Sequence, residues 1–360
     1  MRTRDAAFIR KLCTLGLPPR ALVLSLLPAL RALVPAHSGG VFWVDGQGQM
    51  AGLYAERMLP PDAMAAYYER HYGRHDEGFA AAFRRRAAAP DPVSAHTFSA
   101  AERATDYFRD VLAPLDAYHV LYGILKDAHG PFAQVSLYRG QREAAFDRED
   151  MATLRALVRY LAMGLAEPDR PGGASEESVA VEEAVGVVTL SGDVVSASDD
   201  WRRLVRLSAV AQVAPSSALA ERPAIEDFLR QASAVIDATA PGRHDIVRNT
   251  TWGRFVIRAY RLADERGRRA DQVALLIRRE EPRSLSLVRG AGHSALSPQQ
   301  REVALLLAQG RTNAEIAEDL GLTINTASYH VKQVYLRLQV NDRDAVQGAL
   351  LKRAQVSTAL

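Results

Sequence analysis

The side chains best suited to recognition chemistry lie between positions 324 and 338, where hydrogen-bonding residues recur and no acidic residue occurs. On a helix, one side of this stretch carries Asn325, Ser328, Tyr329, Lys332 and Gln333. A face with donors and a cation but no carboxylate suits the acceptor-rich base edges and the phosphates of DNA. The stretch therefore predicts a helix that lies in the major groove.

Within this face, Ser328, Tyr329 and Lys332 are predicted to read base edges because they project from the first two turns. Lysine can bond guanine, and a tyrosine ring can pack on a thymine methyl group. For each residue the alternative is an ordinary solvated helix position, and His330, between two faces, is also a candidate packed histidine. The predicted phosphate contacts are Thr326, His330 and Arg337.

Local signals predict the helices that position this face. Ser297, Pro298 and Gln300 form a capping box with proline at the first helical position, so a helix begins there and ends near Gln309.

Two further helices follow. Thr312 and Glu315 form a second capping box, and Gly321 ends that short helix. Thr323 is a suitable N-cap for a third, longer helix. Together they predict a helix-turn-helix. The predicted buried stripe of the third helix is Ala327, Val331, Val334 and Leu338.

Four sequence blocks in this segment resemble the LuxR-type, also called GerE-type, DNA-binding domain. The resemblance implies a four-helix domain that binds double-stranded DNA as a homodimer, with RNA polymerase as a further candidate partner. Ser328 departs from the pattern, since many members carry a basic residue there, so the base preference does not transfer. The blocks are L-S-x-x-x-R-E-V at Leu296–Val303, G-x-T-N-x-E-I-A at Gly310–Ala317, L-G-L-T at Leu320–Thr323 and T-A-x-Y-H-V-K at Thr326–Lys332.

The resemblance also implies that the last helix, about Arg343 to Arg353, makes the dimer contact. That helix has a small apolar face suited to such a contact. The predicted dimerisation residues are Ala345, Val346, Ala349 and Leu350.

Composition bounds the rest of the chain. With 360 residues, of which 48% are hydrophobic, the chain is long enough for two or three domains with their own cores. The net charge is only +3, and 41 of the 45 basic residues are arginine, which a GC-rich genome explains better than nucleic-acid binding. A single cysteine, Cys13, excludes an intramolecular disulfide and a cysteine-based zinc site. We expect a cytoplasmic protein, since no apolar run reaches the roughly 18 residues of a membrane span and no signal peptide is recognisable.

Two stretches rich in turn-forming residues, Glu167–Ser178 and Glu281–His293, divide the chain. The predicted fold class is multidomain α+β: two sensor-like domains, each an antiparallel sheet with helices, followed by an all-α four-helix domain. The first resembles GAF-type and the second PAS-type sensor folds. The predicted boundaries are 1–168 for the GAF-like domain, 169–178 for a linker, 179–282 for the PAS-like domain, 283–293 for a linker and 294–360 for the DNA-binding domain.

Hairpins and long helices underlie those two assignments. A helix from 61 to 72, another from 100 to 112 and a long helix that Asp147 caps are predicted beside the first sheet. The strands predicted for the first domain are 40–44, 50–56, 119–126 and 132–139, and those for the second are 185–190, 194–198, 253–262 and 272–279.

Both sensor-like folds typically enclose a pocket for a small molecule. Aromatic residues on the predicted strands could line it or belong to an ordinary core. His71 and His75 have a spacing that can share a metal, but Gly73 between them disfavours the helix, and we predict no metal, no cofactor and no catalytic residue. Two alternatives stay open: front domains that only dimerise or bind a protein, and an enzyme with a regulatory DNA-binding tail. The aromatic residues are Phe42, Trp43, Tyr54, Tyr122 and Tyr138.

Overall fold

The computed structural model describes residues 2–57, 63, 70, 76–166, 177–209, 218–234, 245–250 and 252–356. Two antiparallel five-stranded sheets with flanking helices precede a C-terminal group of helices, so the predicted α+β fold class is confirmed. None of the described helices is long and apolar enough to cross a bilayer.

The first sheet has the strand order β2-β1-β5-β4-β3, and the predicted hairpins form its β1–β2 and β4–β5 pairs. Apart from residues 63 and 70, the helix predicted from 61 to 72 lies outside the described residues, as does the pair His71 and His75. The elements are α1 Arg2–Cys13, α2 Pro19–Leu33, β1 Ser38–Val44, β2 Met50–Ala55, α3 Asp76–Ala88, β3 Val93–Thr97, α4 Ala100–Arg103, β4 His119–Asp127, β5 Gly130–Arg139, α5 Arg148–Arg155 and α6 Val158–Leu165.

Two helices differ from prediction. The stretch predicted as one helix from 100 to 112 contains the short α4 and a π-helical turn, Phe108–Leu112. Asp147 forms the predicted cap, but the following helix is interrupted after α5 by a tighter turn, in which the Leu157 N–H donates to the Leu154 carbonyl at 2.9 Å. This turn keeps both leucines buried beneath the sheet.

The second sheet has the order β7-β6-β10-β9-β8. In both sheets the second strand along the chain comes first, followed by the first, fifth, fourth and third strands, so the two sheets have the same topology. The edge strands β3 and β8 and the helix α8 were not predicted. The elements are β6 Ser178–Thr189, β7 Val194–Ala197, α7 Trp201–Ala209, α8 Ala218–Ala234, β8 Asp245–Thr250, β9 Gly253–Ala263 and β10 Arg269–Pro282.

One face of each sheet packs against helices. In the first sheet, Val135 and Leu137 are buried in the same cluster as α2 and α6 residues. In the second sheet, Leu275 and Ile277 are buried in a cluster with Trp201 of α7. Gly186 on β6 lets the Trp201 indole lie against the strand, since a Cβ there would overlap the ring.

The segment predicted as the second linker is a helix, α9 Arg283–His293, which follows β10 without a gap. Four helices of the C-terminal domain come next: α10 Pro298–Ala308, α11 Asn313–Asp319, α12 Ile324–Leu338 and α13 Asp344–Val356. Helix α9 packs against α13, α10 and α1, and the Lys11 ammonium on α1 forms an ion pair with Glu302 on α10 at 2.9 Å. The C-terminal domain therefore contacts α1 at the start of the chain and α9, the helix that precedes the domain.

Buried ion pairs join the second sheet to α9, and we call this set the ionic joint: Glu182, Arg203, Arg279, Glu281 and Arg289. Glu281 is fully buried and accepts from Arg279 at 3.3 Å and from Arg289 at 3.1 Å. A second guanidinium nitrogen of Arg289 forms an ion pair with the same carboxylate at 2.7 Å. Arg279 also donates to Glu182 at 2.7 Å, and Arg203 of α7 pairs with the same carboxylate.

Two serines attach the ionic joint to helices. The Ser286 hydroxyl of α9 donates to Glu281 at 2.6 Å. Arg289 donates to the Ser25 hydroxyl of α2 at 3.1 Å, and this bond links α9 to the first domain. Because a buried carboxylate that loses a partner is costly, these contacts fix where α9 leaves the sheet.

Candidate nucleic-acid interface

Side-chain caps set the start of each helix that carries the interface. Ser297 and Gln300 form a reciprocal capping box on α10, and Thr312 and Glu315 form another on α11. Thr323 accepts from the backbone N–H of Thr326 at 3.2 Å and so caps α12. All three predicted caps are present, which fixes the register of the three helices.

A tight turn joins α11 to α12. Gly321 has φ +62°, a left-handed conformation that glycine adopts without strain, and the Leu322 N–H donates to the Ala317 carbonyl at 2.7 Å. The stripe predicted to be buried on α12 is buried, and α12 packs through it against α10 and α11. The opposite side of α12 therefore faces solvent.

The five residues of the predicted recognition face lie on that side and differ in exposure. The Tyr329 side chain is 59% exposed, and Asn325 and Lys332 are exposed as well. Ser328 and Gln333 are half-buried. No residue of α12 is acidic, so an incoming phosphate meets no carboxylate on this helix.

Ser328 is also tied to the neighbouring helix. The Asn313 amide at the start of α11 donates to the Ser328 hydroxyl at 3.1 Å, and Arg343 donates to the Asn313 oxygen at 3.0 Å. The Ser328 hydroxyl proton is left for another acceptor, such as a base or phosphate oxygen. The sequence did not indicate Asn313 or Arg343 as supports, because they are 15 and 30 residues away from their partners.

The three predicted phosphate contacts lie in three different settings. The Thr326 hydroxyl bonds the Thr323 hydroxyl at 2.8 Å in the first turn of α12. Arg337 is exposed near the end of the helix and donates to the Ala295 carbonyl at 2.7 Å. His330 is half-buried, its ring lies edge-on to Tyr329 at 5.5 Å, and its Nδ1 atom is buried without a hydrogen bond. The packed setting that was the alternative for His330 fits this geometry best.

Two exposed apolar residues of α12 were not predicted as part of the face. Ile324 is 56% and Leu336 is 71% exposed. The spacing of Ile324 from Ala327 and Val331 would place it on the buried stripe, but as the first residue of the helix it extends beyond the packed core. An apolar side chain at this end of the helix can contact a thymine methyl group.

Helix α13, which carries the predicted dimerisation residues, packs against α9 of the same chain. Val346 and Leu350 are fully buried, and Ala345 and Ala349 are half-buried. The two helices approach closely at Gly290, where a Cβ would overlap the Leu350 carbonyl oxygen. In this conformation the larger apolar side chains of α13 are therefore covered.

The C-terminal helices form a helix-turn-helix domain. Residues 294–347 match the family described as bacterial regulatory proteins, luxR family, so this part of the chain is a LuxR-type domain, as the four sequence blocks predicted. Over 51 residues the chain is 39% identical to the transcriptional regulatory protein LiaR of Bacillus subtilis, a match that covers 14% of this chain and 24% of LiaR. The chain thus spans about a quarter of the length of that curated relative.

Solved structures similar to parts of the chain come from two kinds of protein. The GAF3 domain of Slr1393 from Synechocystis in its photoproduct state is 12% identical, with a TM-score of 0.29, and covers 39% of this chain and 87% of that chain. The Vibrio cholerae VqmA dimer without target DNA, described as a LuxR-type receptor, is 17% identical, with a TM-score of 0.19, and covers 48% of this chain and 83% of that chain.

Proposed function

We propose that this chain is a sequence-specific transcriptional regulator that acts in the cytoplasm, binds DNA as a dimer and responds to a signal received by its first two domains. The observation that carries the proposal is the solvent-facing, acid-free side of α12 in a domain of the luxR family. The proposal assigns no reaction, cofactor or metal to the chain.

In this proposal Tyr329 and Lys332 contact base edges, because they are the most accessible of the predicted base readers. Ser328 contributes its remaining hydrogen-bond capacity, and Asn325 and Gln333 lie beside it on the same face. Thr326 and Arg337 contact phosphates on either side of the groove. Two such helices in a dimer read half-sites about 10 base pairs apart.

The signal response rests on α9 and the ionic joint. Because α13 packs against α9 and its Val346 and Leu350 are fully buried, an α13–α13 contact through these residues requires the elements packed on α13 to move. The ionic joint sits where both upstream domains meet α9. A ligand or partner that binds one arrangement of the upstream domains more tightly would shift the population of chains in which α13 is uncovered.

Lys332→Ala tests the DNA contact, with Lys352→Ala as the matched control because Lys352 is an exposed lysine of the same domain outside α12. If Lys332 reads a base, its removal should weaken binding to the target site by about 1 to 3 kcal/mol. If it contacts phosphate alone, binding should weaken equally on all sequences with a shallower salt dependence. Unchanged binding by Lys332→Ala would contradict both roles.

Thermal unfolding in the presence of a metabolite library distinguishes upstream domains that bind a signal from upstream domains that only dimerise. A ligand of the upstream domains present at 100 times its dissociation constant should stabilise the chain by about 2.7 kcal/mol. A library without any stabilising compound would favour upstream domains that only dimerise or bind a protein.

A further inference from the structure

A cavity of about 180 Å³ lies where α1 of the first domain meets α9 and α10. Val288, Ala291 and Leu305 in its wall are buried and apolar, and Phe8 of α1 belongs to the same wall. Sites for small molecules are mostly apolar, hold a few polar groups and often lie between domains. This cavity is smaller than the roughly 300 to 1,000 Å³ that is typical of such sites, so a molecule that fits it is small.

Arg301 of α10 is the residue of the wall that lacks a partner. It is 7% exposed, and its Nε and Nη2 atoms are buried without a hydrogen bond. Nε and Nη2 form the edge of a guanidinium group whose two N–H bonds are parallel, and such an edge binds both oxygens of a carboxylate. A buried guanidinium group without an anion has lost its hydration without compensation, so this edge is suited to an anion that enters the cavity.

The other charged residues of the wall, Lys11 and Glu302, neutralise each other. The Lys11 ammonium pairs with the Glu302 carboxylate at 2.9 Å, and the two side chains are 37% and 41% exposed. With two cations and one carboxylate, the wall has a net charge of +1 that no side chain of the wall balances. Since Glu302 is already paired, it adds little repulsion against an anion beside Arg301.

We propose that this cavity binds a small carboxylic acid with an apolar body, and that its carboxylate pairs with the guanidinium group of Arg301. Because Nε and Nη2 are covered by protein atoms in this conformation, the guanidinium group turns toward the cavity as the carboxylate enters. The apolar body lies against Phe8 and Leu305. A free phosphate has no apolar part to cover these side chains, so a carboxylic acid fits the wall better.

The bound acid contacts three helices from different parts of the chain. Helix α1 begins the first domain, α9 follows the second sheet, and α10 begins the LuxR-type domain. A molecule bound among them favours the arrangement in which α1 and α9 lie against the DNA-binding domain. Val346 and Leu350 of α13 are buried in that arrangement. The regulatory effect rests on the proposed function: if an α13–α13 contact forms the dimer on DNA, the acid weakens DNA binding.

Calorimetric titration of the full chain tests the site, with benzoate and phenylacetate as probes and benzyl alcohol as a neutral analogue. Both acids should bind the wild type, and Arg301→Gln should weaken their binding by about ten-fold, because a hydrogen-bonded charge pair is lost. Binding of benzyl alcohol should be weak and equal in both proteins. Arg311→Gln is the matched control, since Arg311 is an exposed arginine of the same domain that pairs with Glu315, and it should bind the acids like wild type.

Absence of binding by both acids, or equal affinity of wild type and Arg301→Gln for them, would overturn the proposal. Ala7→Leu covers the case in which Arg301→Gln fails to fold, because Ala7 lines the cavity and leucine takes up part of its volume. This variant should bind benzoate several-fold more weakly. Ala152→Leu, the same exchange at an exposed position of α5, should bind it like wild type. Unchanged affinity in Ala7→Leu would mean that the acid binds elsewhere.

The titration needs no DNA, so the site and the proposed function are tested separately. A chain that binds benzoate through Arg301 but binds no DNA would retain the site and contradict the proposed function. Where DNA is bound, benzoate should weaken the binding of wild type but not that of Arg301→Gln. Equal DNA affinity of wild type with and without saturating benzoate would overturn the regulatory effect.

Discussion

The two sheets have the same strand order but differ in what covers them. In the first sheet both faces are buried: Val135 and Leu137 point to one side, and Gln134 and Ser136 on the other side are 3% and 0% exposed. In the second sheet only one face is buried, and Val185 opens to solvent on the other. The same topology therefore has two covered faces in the first domain and one covered face in the second. The segments that pack around each sheet cause this difference.

The last strand of each sheet along the chain carries an arginine near its end, half-buried Arg139 in β5 and buried Arg279 in β10, but the two arginines bind different partners. Arg139 of β5 pairs with Asp150 of α5 at 2.9 Å, within its own domain. Arg279 of β10 reaches Glu281, which in turn holds Arg289 of α9. The arginine of the first sheet thus binds within its own domain, whereas the arginine of the second sheet belongs to a set of ion pairs that reaches α9, the helix before the DNA-binding domain.

Replacement of Glu281 should have the largest effect. Glu281→Ala leaves Arg279 and Arg289 buried without their shared partner, so we expect the free energy of unfolding to fall by about 3 to 5 kcal/mol in denaturant titrations. Asp227→Ala breaks the exposed pair with Arg230 and should cost less than about 1 kcal/mol. Similar losses for the two variants would contradict a buried, connecting role for Glu281.

Substitution of two neighbouring leucines on β10 compares how much each face of the second sheet contributes to the free energy of unfolding. Leu275→Ala should cost about 2 to 5 kcal/mol of unfolding free energy because Leu275 is fully buried. Leu276→Ala should cost less than about 1 kcal/mol. Equal costs would contradict the difference in burial between the two faces of the second sheet.

Local signals were sufficient to predict the C-terminal domain. The caps at Ser297, Thr312 and Thr323 act over three residues, and each forms as expected. The same holds for the Asp147 cap and for the hairpins with short glycine-containing turns. Whether Tyr329 and Lys332 contact DNA stays a prediction.

Features that depend on distant partners were not predictable. Glycines and serines in 283–293 indicated a linker, but Leu285, Leu287 and Val288 are buried there, and Gly290 permits close packing on α13 rather than flexibility. The short edge strands β3 and β8 each pair on one side, so their sequences carry a weak pattern. Which face of the second sheet is open depends on where α7 and α8 pack.

A side chain added at the close contact between α9 and α13 should have an intermediate effect on stability. Gly290→Ala introduces a Cβ that overlaps the Leu350 carbonyl oxygen, so we expect a loss of about 1 to 3 kcal/mol in unfolding free energy. Gly348→Ala is the control, because nothing lies within 4 Å of its Cβ on the same α13, and it should stabilise that helix by up to about 1 kcal/mol. Destabilisation by both variants would contradict a specific contact at Gly290.

The smallest effect should be a difference in pH dependence between the two domains. Burial raises the pKa of Glu56, next to β2, and Arg31 offsets this only in part. Burial would also raise the pKa of Glu182 in the ionic joint, but Arg279 and Arg203 hold it below its ordinary value. The two carboxyl groups should therefore contribute to stability with opposite signs as the pH changes.

For Glu182, the folded state binds its proton less tightly than the unfolded state, so its contribution is present above the ordinary glutamate pKa and is lost as the pH falls through the lower folded value. For Glu56 the folded state binds the proton more tightly, so its contribution decreases as the pH rises from the ordinary value through the raised one. Unfolding free energies of Glu182→Gln and Glu56→Gln between about pH 3 and pH 7 should thus deviate from wild type in opposite directions. Deviations of the same sign would show that the ionic joint does not hold Glu182 ionised and that the two domains respond alike to acid.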